Sequence, residues 1–185
     1  MVYVHLSQGF EEIEALTVVD LLRRVNIDVK LVAVSPTCSD DSYKVKGAHD
    51  IVVYADLLFD EADYDACDMI VLPGGMPGTT NLLSHRGLKE KLELFYNQKK
   101  PIAAICAAPM ILGKSGMLKG RTAVCYPGME GYLEGATVGK EDVVIDDFII
   151  TSKGPGTAMK FALEIIRFLL GDEAASELKK ELVNN

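Results

Sequence analysis

Pro101-Ile102-Ala103-Ala104-Ile105-Cys106-Ala107-Ala108-Pro109 is the stretch that decides the fold. The apolar run 102–105 has strand length and reads as buried, and residues 107–115 read as a helix that follows it at once. Outward from this junction the same alternation repeats. Strands are expected at 2–6, 27–34, 69–72, 122–125 and 148–151, and helices at 11–24, 81–98, 156–170 and 172–182. The 81–98 helix is expected to break near Gly87. Residues 35–42 read as a turn-rich loop, 44–46 and 51–54 as short strands of a hairpin or flap, and 136–138 and 143–145 as short ambiguous segments. Alternation of this kind predicts an α/β fold, a mostly parallel sheet with helices on both faces. Ligands of such sheets bind beyond the carboxyl ends of the strands. The chemistry is therefore sought in residues 7–14, 73–78, 105–109 and 153–157.

Composition narrows the field without naming a reaction. The 185 residues fit one domain, taken as 1–185, at roughly 150 residues per domain. Apolar residues make up 49% and charged residues 25%, which argues for a packed core rather than disorder. The net charge of −8 argues against a nucleic-acid binder. No apolar run reaches the ~18 residues of a membrane span. The first residues lack a basic, long apolar leader, so a cytoplasmic protein is expected. Four cysteines without a CxxC pair give neither a zinc pattern nor a disulfide framework, and neither metal nor cofactor is expected.

Among the four thiols, Cys106 stands where a strand turns into a helix, with small alanines on either side. This is the layout of a nucleophile elbow. The helix N-terminus is expected to lower its pKa below the ordinary ~8.5. Cys38 in a polar loop, Cys67 before a strand and Cys125 beside Tyr126 read as incidental. On the 11–24 helix, at ~100° per residue, Val18, Leu21, Leu22 and Val25 all fall within about 80° of Glu14. Glu14 thus lies on the apolar stripe and should be buried, with a raised pKa. Glu12 falls on the far side with Arg23, and Glu11 is intermediate. Both read as solvated partners of the helix dipole. A raised-pKa carboxyl beside a thiol can serve as a general acid or base.

Leu72-Pro73-Gly74-Gly75-Met76-Pro77-Gly78 follows a strand, and its glycines let backbone N–H groups approach a ligand closely. Gly75 and Ala107 can supply oxyanion donors. Ala108–Ser115 misses the first glycine of a phosphate loop and reads as a helix. Gly154-Pro155-Gly156 lacks the last small residue of a dinucleotide fingerprint, but as a helix start it can line the crevice. His5, His49 and His85 read as structural or exposed, with no obvious place at the Cys106 edge.

Four ordered segments now resemble a known family. Gly9-Phe10-Glu11-Glu12-Ile13-Glu14, Val71-Leu72-Pro73-Gly74-Gly75, Ala103-Ala104-Ile105-Cys106-Ala107-Ala108-Pro109 and Thr151-Ser152-Lys153-Gly154-Pro155-Gly156-Thr157 are similar to the ThiJ/PfpI superfamily, in its parkinsonism-associated protein deglycase branch. The resemblance spans essentially the whole chain. It implies a flavodoxin-like three-layer α/β/α sandwich related to class I glutamine amidotransferases, and a homodimer. It implies that Cys106 is the reactive, oxidation-prone cysteine, Glu14 its protonated partner, and Gly75 and Ala107 the oxyanion positions. Gly74, Tyr126, Gly154 and Pro155 complete the expected substrate-contacting set. Members of the branch are described as glutathione-independent glyoxalases, protein deglycases and redox-responsive chaperones. The implied substrates are small dicarbonyls such as methylglyoxal, and glycated proteins. Tyr126-Pro127 stands where several relatives have histidine before proline, which argues against a Cys-His peptidase. The family's flap arginine has no counterpart; His49 is the nearest match.

Overall fold

The computed structural model describes residues 1–34 and 42–183. Along the chain run β1 (Val2–Leu6), α1 (Glu12–Arg24), β2 (Val29–Ala33), β3 (Lys44–Lys46), β4 (Val52–Tyr54), β5 (Leu57–Leu58) and β6 (Met69–Leu72). Then come α2 (Gly78–Ser84), α3 (Arg86–Asn97), β7 (Ile102–Ile105), α4 (Pro109–Lys114), β8 (Thr122–Ala123) and β9 (Thr137–Val138). The last elements are β10 (Val143–Asp146), β11 (Ile149–Ser152), α5 (Ala158–Leu170) and α6 (Asp172–Glu181). A seven-stranded sheet has the order β10-β11-β7-β6-β1-β2-β5. Every pairing in it is parallel except β10 with β11. β3 and β4 form an antiparallel hairpin, and β8 pairs with β9 apart from the main sheet.

Both faces of the sheet are buried, which explains why its strands are apolar throughout. In β1, Val2, Val4 and Leu6 point to one side, where α1, α5 and α6 pack. Tyr3 points to the other, among Leu82 of α2, Leu88, Leu92 and Phe95 of α3, and Ile111 and Leu112 of α4. β7 divides in the same way, Ala103 and Ile105 against Ile102 and Ala104, as the two-residue period of a strand requires. The result is the flavodoxin-like three-layer sandwich. α5 buries Phe161, Leu163, Ile165 and Ile166 and packs on α1. At ~1.5–3 kcal/mol for each large apolar side chain, that seam fixes α1, and with it the inward direction of Glu14.

Several boundaries depart from the sequence pattern. The break in the 81–98 helix falls at His85, not Gly87. His85 is extended (φ −78°, ψ 107°), and its Nδ1 accepts the Leu88 N–H at 3.0 Å, capping α3. Gly87 is small for packing: a Cβ there would meet the Phe59 ring at 2.8 Å. The helix expected from residue 107 begins at Pro109, because residues 106–108 form a turn. The strand expected at 122–125 stops at Ala123 and belongs to the small sheet. β5, a two-residue edge strand, was not anticipated. Cys38 and nearly all of the 35–42 loop lie outside the described residues.

Candidate active site

β7 delivers the chain to Cys106, which has φ +64°, a region L-residues rarely occupy. The turn is held from both sides. Cys106 N–H donates to the Ser152 carbonyl at 2.9 Å, and Tyr126 N–H donates to the Cys106 carbonyl at 2.8 Å. Such over-determination is what sustains a strained backbone. The backbone N–H groups of Ala107 and Gly75 lie near enough to the Cys106 sulfur to favour its thiolate.

The glycine loop after β6 is glycine by necessity. Gly75 has φ +88°, and a Cβ there would lie 2.4 Å from the Glu11 nitrogen. At Gly74 a Cβ would lie 2.7 Å from Cys106 Cβ and 2.8 Å from Glu14 Oε2. Gly74 was expected to face substrate; instead its N–H donates to Glu14 Oε2 at 2.7 Å. It positions the acid.

Glu14 is fully buried. Its Oε1 has no hydrogen bond of good geometry among the described residues, although the carboxyl lies close enough to the Cys106 thiol for each to shift the other's titration. Burial pushes Glu14 up to about 7, against the pull of Gly74 N–H and the thiol, and the charge of Glu11 adds to the rise.

The expected lowering of the thiol pKa is not what the structure gives. Burial, then the charge and hydrogen bonding of the Glu14 carboxylate, push Cys106 up to about 12, and the Ala107 and Gly75 amides pull it back only in part. α4 has six residues and begins three positions later, so its dipole is weak at the sulfur. Burial also raises Cys67 and Cys125, each to about 11. A depressed pKa therefore does not single out Cys106. Its neighbours do: a buried acid, two amides and an opening. The first proton of the Cys106–Glu14 pair leaves near 7, chiefly from the carboxyl, and the remaining one stays chiefly on sulfur.

The opening is a cavity of about 370 Å³. Cys106, Ala107 and Gly75 form its floor, with Glu11, Met76, Tyr126, Met129 and Pro155 around them. Tyr126 is half exposed, and its ring rests where a Gly154 Cβ would come within 3.2 Å. That same Cβ would be 3.9 Å from the sulfur, so Gly154 keeps the wall thin. The Gly154 N–H is taken by Thr157 Oγ1 at 3.1 Å. Sequence reasoning missed Met76, Met129 and the role of Glu11; no local pattern marks residues that meet only through loops.

Glu11 and Glu12 are not solvated dipole partners. They are 9% and 4% exposed. The β3–β4 hairpin folds over the start of α1, with Gly9 N–H donating to the Lys46 carbonyl and Ala48 N–H to the Phe10 carbonyl, both at 2.8 Å. Glu12 then accepts His49 N–H at 2.7 Å and pairs with His49 Nδ1 at 2.8 Å. These bonds raise the His49 pKa, and those from His49 outweigh burial to lower that of Glu12. Ligand atoms of Glu11, Glu12 and His49 lie within 4.8 Å of one another. The direct Glu12–His49 bonds already account for two of the three. His5 is buried against Tyr64 Oη at 2.7 Å, and no histidine among the described residues lines the cavity.

A cysteine elbow at the carboxyl edge of a doubly covered, mostly parallel sheet, with a buried acid and two backbone amides near its sulfur, defines a class of flavodoxin-like α/β domains. The chain belongs to the DJ-1/PfpI family, whose model matches residues 1–168. It is 34% identical over 180 residues to Protein DJ-1 homolog B of Arabidopsis thaliana, covering 97% of this chain and 40% of that protein. The chain thus spans about two fifths of that relative's length. It is 36% identical over 173 residues to glutathione-independent glyoxalase DJR-1.2 of Caenorhabditis elegans, covering 93% and 89%. The solved structure of oxidized Toxoplasma gondii DJ-1 superposes with a TM-score of 0.92 at 34% identity, covering 98% and 97%. No helix among the described residues is long and apolar enough to cross a membrane.

Proposed function

We propose that the protein is a cysteine-dependent, glutathione-independent glyoxalase acting on dicarbonyls such as methylglyoxal. The observation that carries this is the buried Glu14 carboxyl, with a pKa near 7, beside a thiol that shares its cavity with Gly75 and Ala107. Glu14 takes the thiol proton, and the Cys106 sulfur adds to the aldehyde carbon. The carbonyl oxygen becomes an oxyanion held by the Gly75 and Ala107 N–H groups, and Glu14 returns the proton to it. The ionised Glu14 then removes the hydrogen from that carbon and delivers it to the neighbouring ketone carbon through an enediol, while the hydroxyl proton passes to the former ketone oxygen. The aldehyde carbon is oxidised to a thioester as the ketone is reduced to an alcohol. Water cleaves the thioester, freeing lactate and the thiol. The sum is methylglyoxal plus water to lactate. The same addition to an early glycated amine is deglycation.

The reading includes a homodimer in the cytoplasm. Ile13 of α1 and Ile51, Val52 and Tyr54 of the hairpin are large, exposed apolar side chains that support self-association. Methylglyoxal consumption in an amine-free buffer tests the activity. Cys106→Ser and Glu14→Gln should each lose nearly all of it, and an unimpaired Cys106→Ser would remove the mechanism.

A second reading is redox sensing or redox-controlled chaperoning. Two peroxides convert the thiol to a sulfinic acid with release of two waters. The unpaired Oε1 of Glu14 is the observation that favours it, since a protonated carboxyl there can donate to a sulfinate oxygen. Mild peroxide should add two oxygens at Cys106 selectively; equal oxidation of the other cysteines counts against it. A peptidase is the least supported, because all three histidines are engaged elsewhere.

A further inference from the structure

Among the described residues Glu11 is the one charged side chain on the cavity wall, and the mechanism does not use it. It is 9% exposed, and among the described residues its carboxylate makes no hydrogen bond; its nearest partner is His49 Nδ1 at 3.7 Å. Among the described residues no lysine or arginine lines the cavity. Residues 35–41 and 184–185 contain no basic residue either. The remaining wall, Met76, Tyr126, Met129 and Pro155, is largely apolar. The Gly75 and Ala107 amides lie at the thiol and, in the proposed reaction, take the reacting carbonyl oxygen, which leaves them unavailable to a second anionic group. An incoming carboxylate or phosphate would lose water, meet no lysine or arginine on the described wall and face the charge of Glu11 beside that of the reactive pair, with His49 already drawn to Glu12 and Glu11.

We propose that Glu11 is a specificity-determining residue that makes this site select uncharged 2-oxoaldehydes and exclude those bearing a carboxylate or phosphate. The inference rests on the glyoxalase reading for its substrates, but the charge filter can be measured without turnover. Methylglyoxal has five heavy atoms and, at water's ~30 Å³ per heavy atom, takes up about 150 Å³. The cavity of about 370 Å³ leaves space for a longer uncharged substituent against the methionines.

Two arms test it. In the first, Cys106 is alkylated with iodoacetamide and with iodoacetate, read by peptide mass spectrometry. In each reaction the sulfur–carbon bond forms as iodide leaves with the carbon–iodine electron pair. Both reagents need the same thiolate, so the ratio of rates reports charge alone. The ratio, relative to that of mercaptoethanol, should favour iodoacetamide by about tenfold, the size of a like-charge contact across a partly hydrated site. Glu11→Gln should bring it down severalfold. In the second arm, kcat/KM is compared for 2-oxohexanal and 4,5-dioxopentanoate, which are similar in size and differ in charge. The neutral compound should win by about tenfold, less in Glu11→Gln. A wild-type reagent ratio equal to that of mercaptoethanol overturns the inference, whatever turnover shows and whether or not the variant folds. Equal kcat/KM for the two aldehydes overturns it as a statement about substrates. Absence of turnover with both, alongside the expected reagent ratio, removes the glyoxalase reading and leaves Glu11 as a filter for other electrophiles.

Discussion

Gly74 N–H donates to Glu14 Oε2 across 2.7 Å, so the loop after β6 and the first turn of α1 hold each other. The same glycine carries no side chain because Cys106 and Glu14 occupy the space on either side of it. One residue therefore sets both the direction of the acid and its approach to the thiol.

Gly74→Ala should separate that pair. The new Cβ would sit 2.7 Å from Cys106 Cβ, which the backbone fixes, and 2.8 Å from Glu14 Oε2, which burial and the Gly74 N–H hold in place. Overpacking of this kind costs about 1–3 kcal/mol. Thermal unfolding should show the loss. Iodoacetamide labelling should show Cys106 losing its distinct pH profile. A variant with wild-type stability and labelling would mean that the loop yields without disturbing the pair.

Glu14 and His5 should give stability opposite slopes with pH. The Glu14 pKa rises from 4.5 to about 7, so folding favours its protonated form. Its contribution is full below 4.5 and is lost as pH rises through about 7, a change of about 3 kcal/mol. Burial lowers the His5 pKa from 6.5 to about 3, so folding favours the neutral ring. That contribution is full above 6.5 and is lost as pH falls toward 3, by about 5 kcal/mol. Urea unfolding across this range should show Glu14→Gln abolishing the fall at higher pH and His5→Leu the fall at lower pH. Parallel curves for wild type and both variants would contradict both assignments.

The strand–helix alternation and the two central residues were legible for different reasons. Cys106 announces itself because a strand-to-helix junction is a local pattern, and Glu14 because helical periodicity places it on the apolar stripe. Periodicity misplaced Glu12 because it describes an isolated helix, and the hairpin carrying His49 covers the side it assigned to solvent. Met76 and Met129 reach the cavity through loops, and β5 is a two-residue parallel edge strand. None of these has a short-range signature. The thiol pKa went the wrong way because the helix dipole is visible in sequence, whereas burial and a carboxylate arriving from another element are not.

Glu12→Ala should loosen the β3–β4 hairpin. Glu12 accepts two hydrogen bonds from His49, and a Gly47 Cβ would lie 2.2 Å from its Oε1, so the turn is shaped around this carboxylate. Losing a buried, charged acceptor costs about 1–3 kcal/mol. Because the hairpin is small, that cost should appear locally. Amide exchange should speed up by roughly five- to 150-fold at residues 44–54, while β1, β6 and β7 keep their protection. Glu12→Gln, which keeps one acceptor, should fall between. Unchanged exchange in the hairpin would show that the Gly9–Lys46 and Ala48–Phe10 backbone bonds suffice to hold it.

The pH profile of Cys106 should expose the shared proton. A thiol raised to about 12 on its own would react with iodoacetamide ever faster up to that pH. With Glu14 as proton acceptor, the pair loses its first proton near 7, and a fraction of the resulting monoanion holds the remaining proton on oxygen and the charge on sulfur. The rate should therefore rise through about pH 7 to a plateau, set by that fraction, before any second rise. In Glu14→Gln the two effects of the carboxylate that raise the thiol pKa are gone. A single step should replace the two, above 7 and below about 12, and labelling near pH 7 should slow. Thiolate absorbance should follow the same curves. A wild-type rate that climbs without a step near 7 would mean that Glu14 does not take the thiol's proton, and the acid–base pairing at the centre of the proposed chemistry would be wrong.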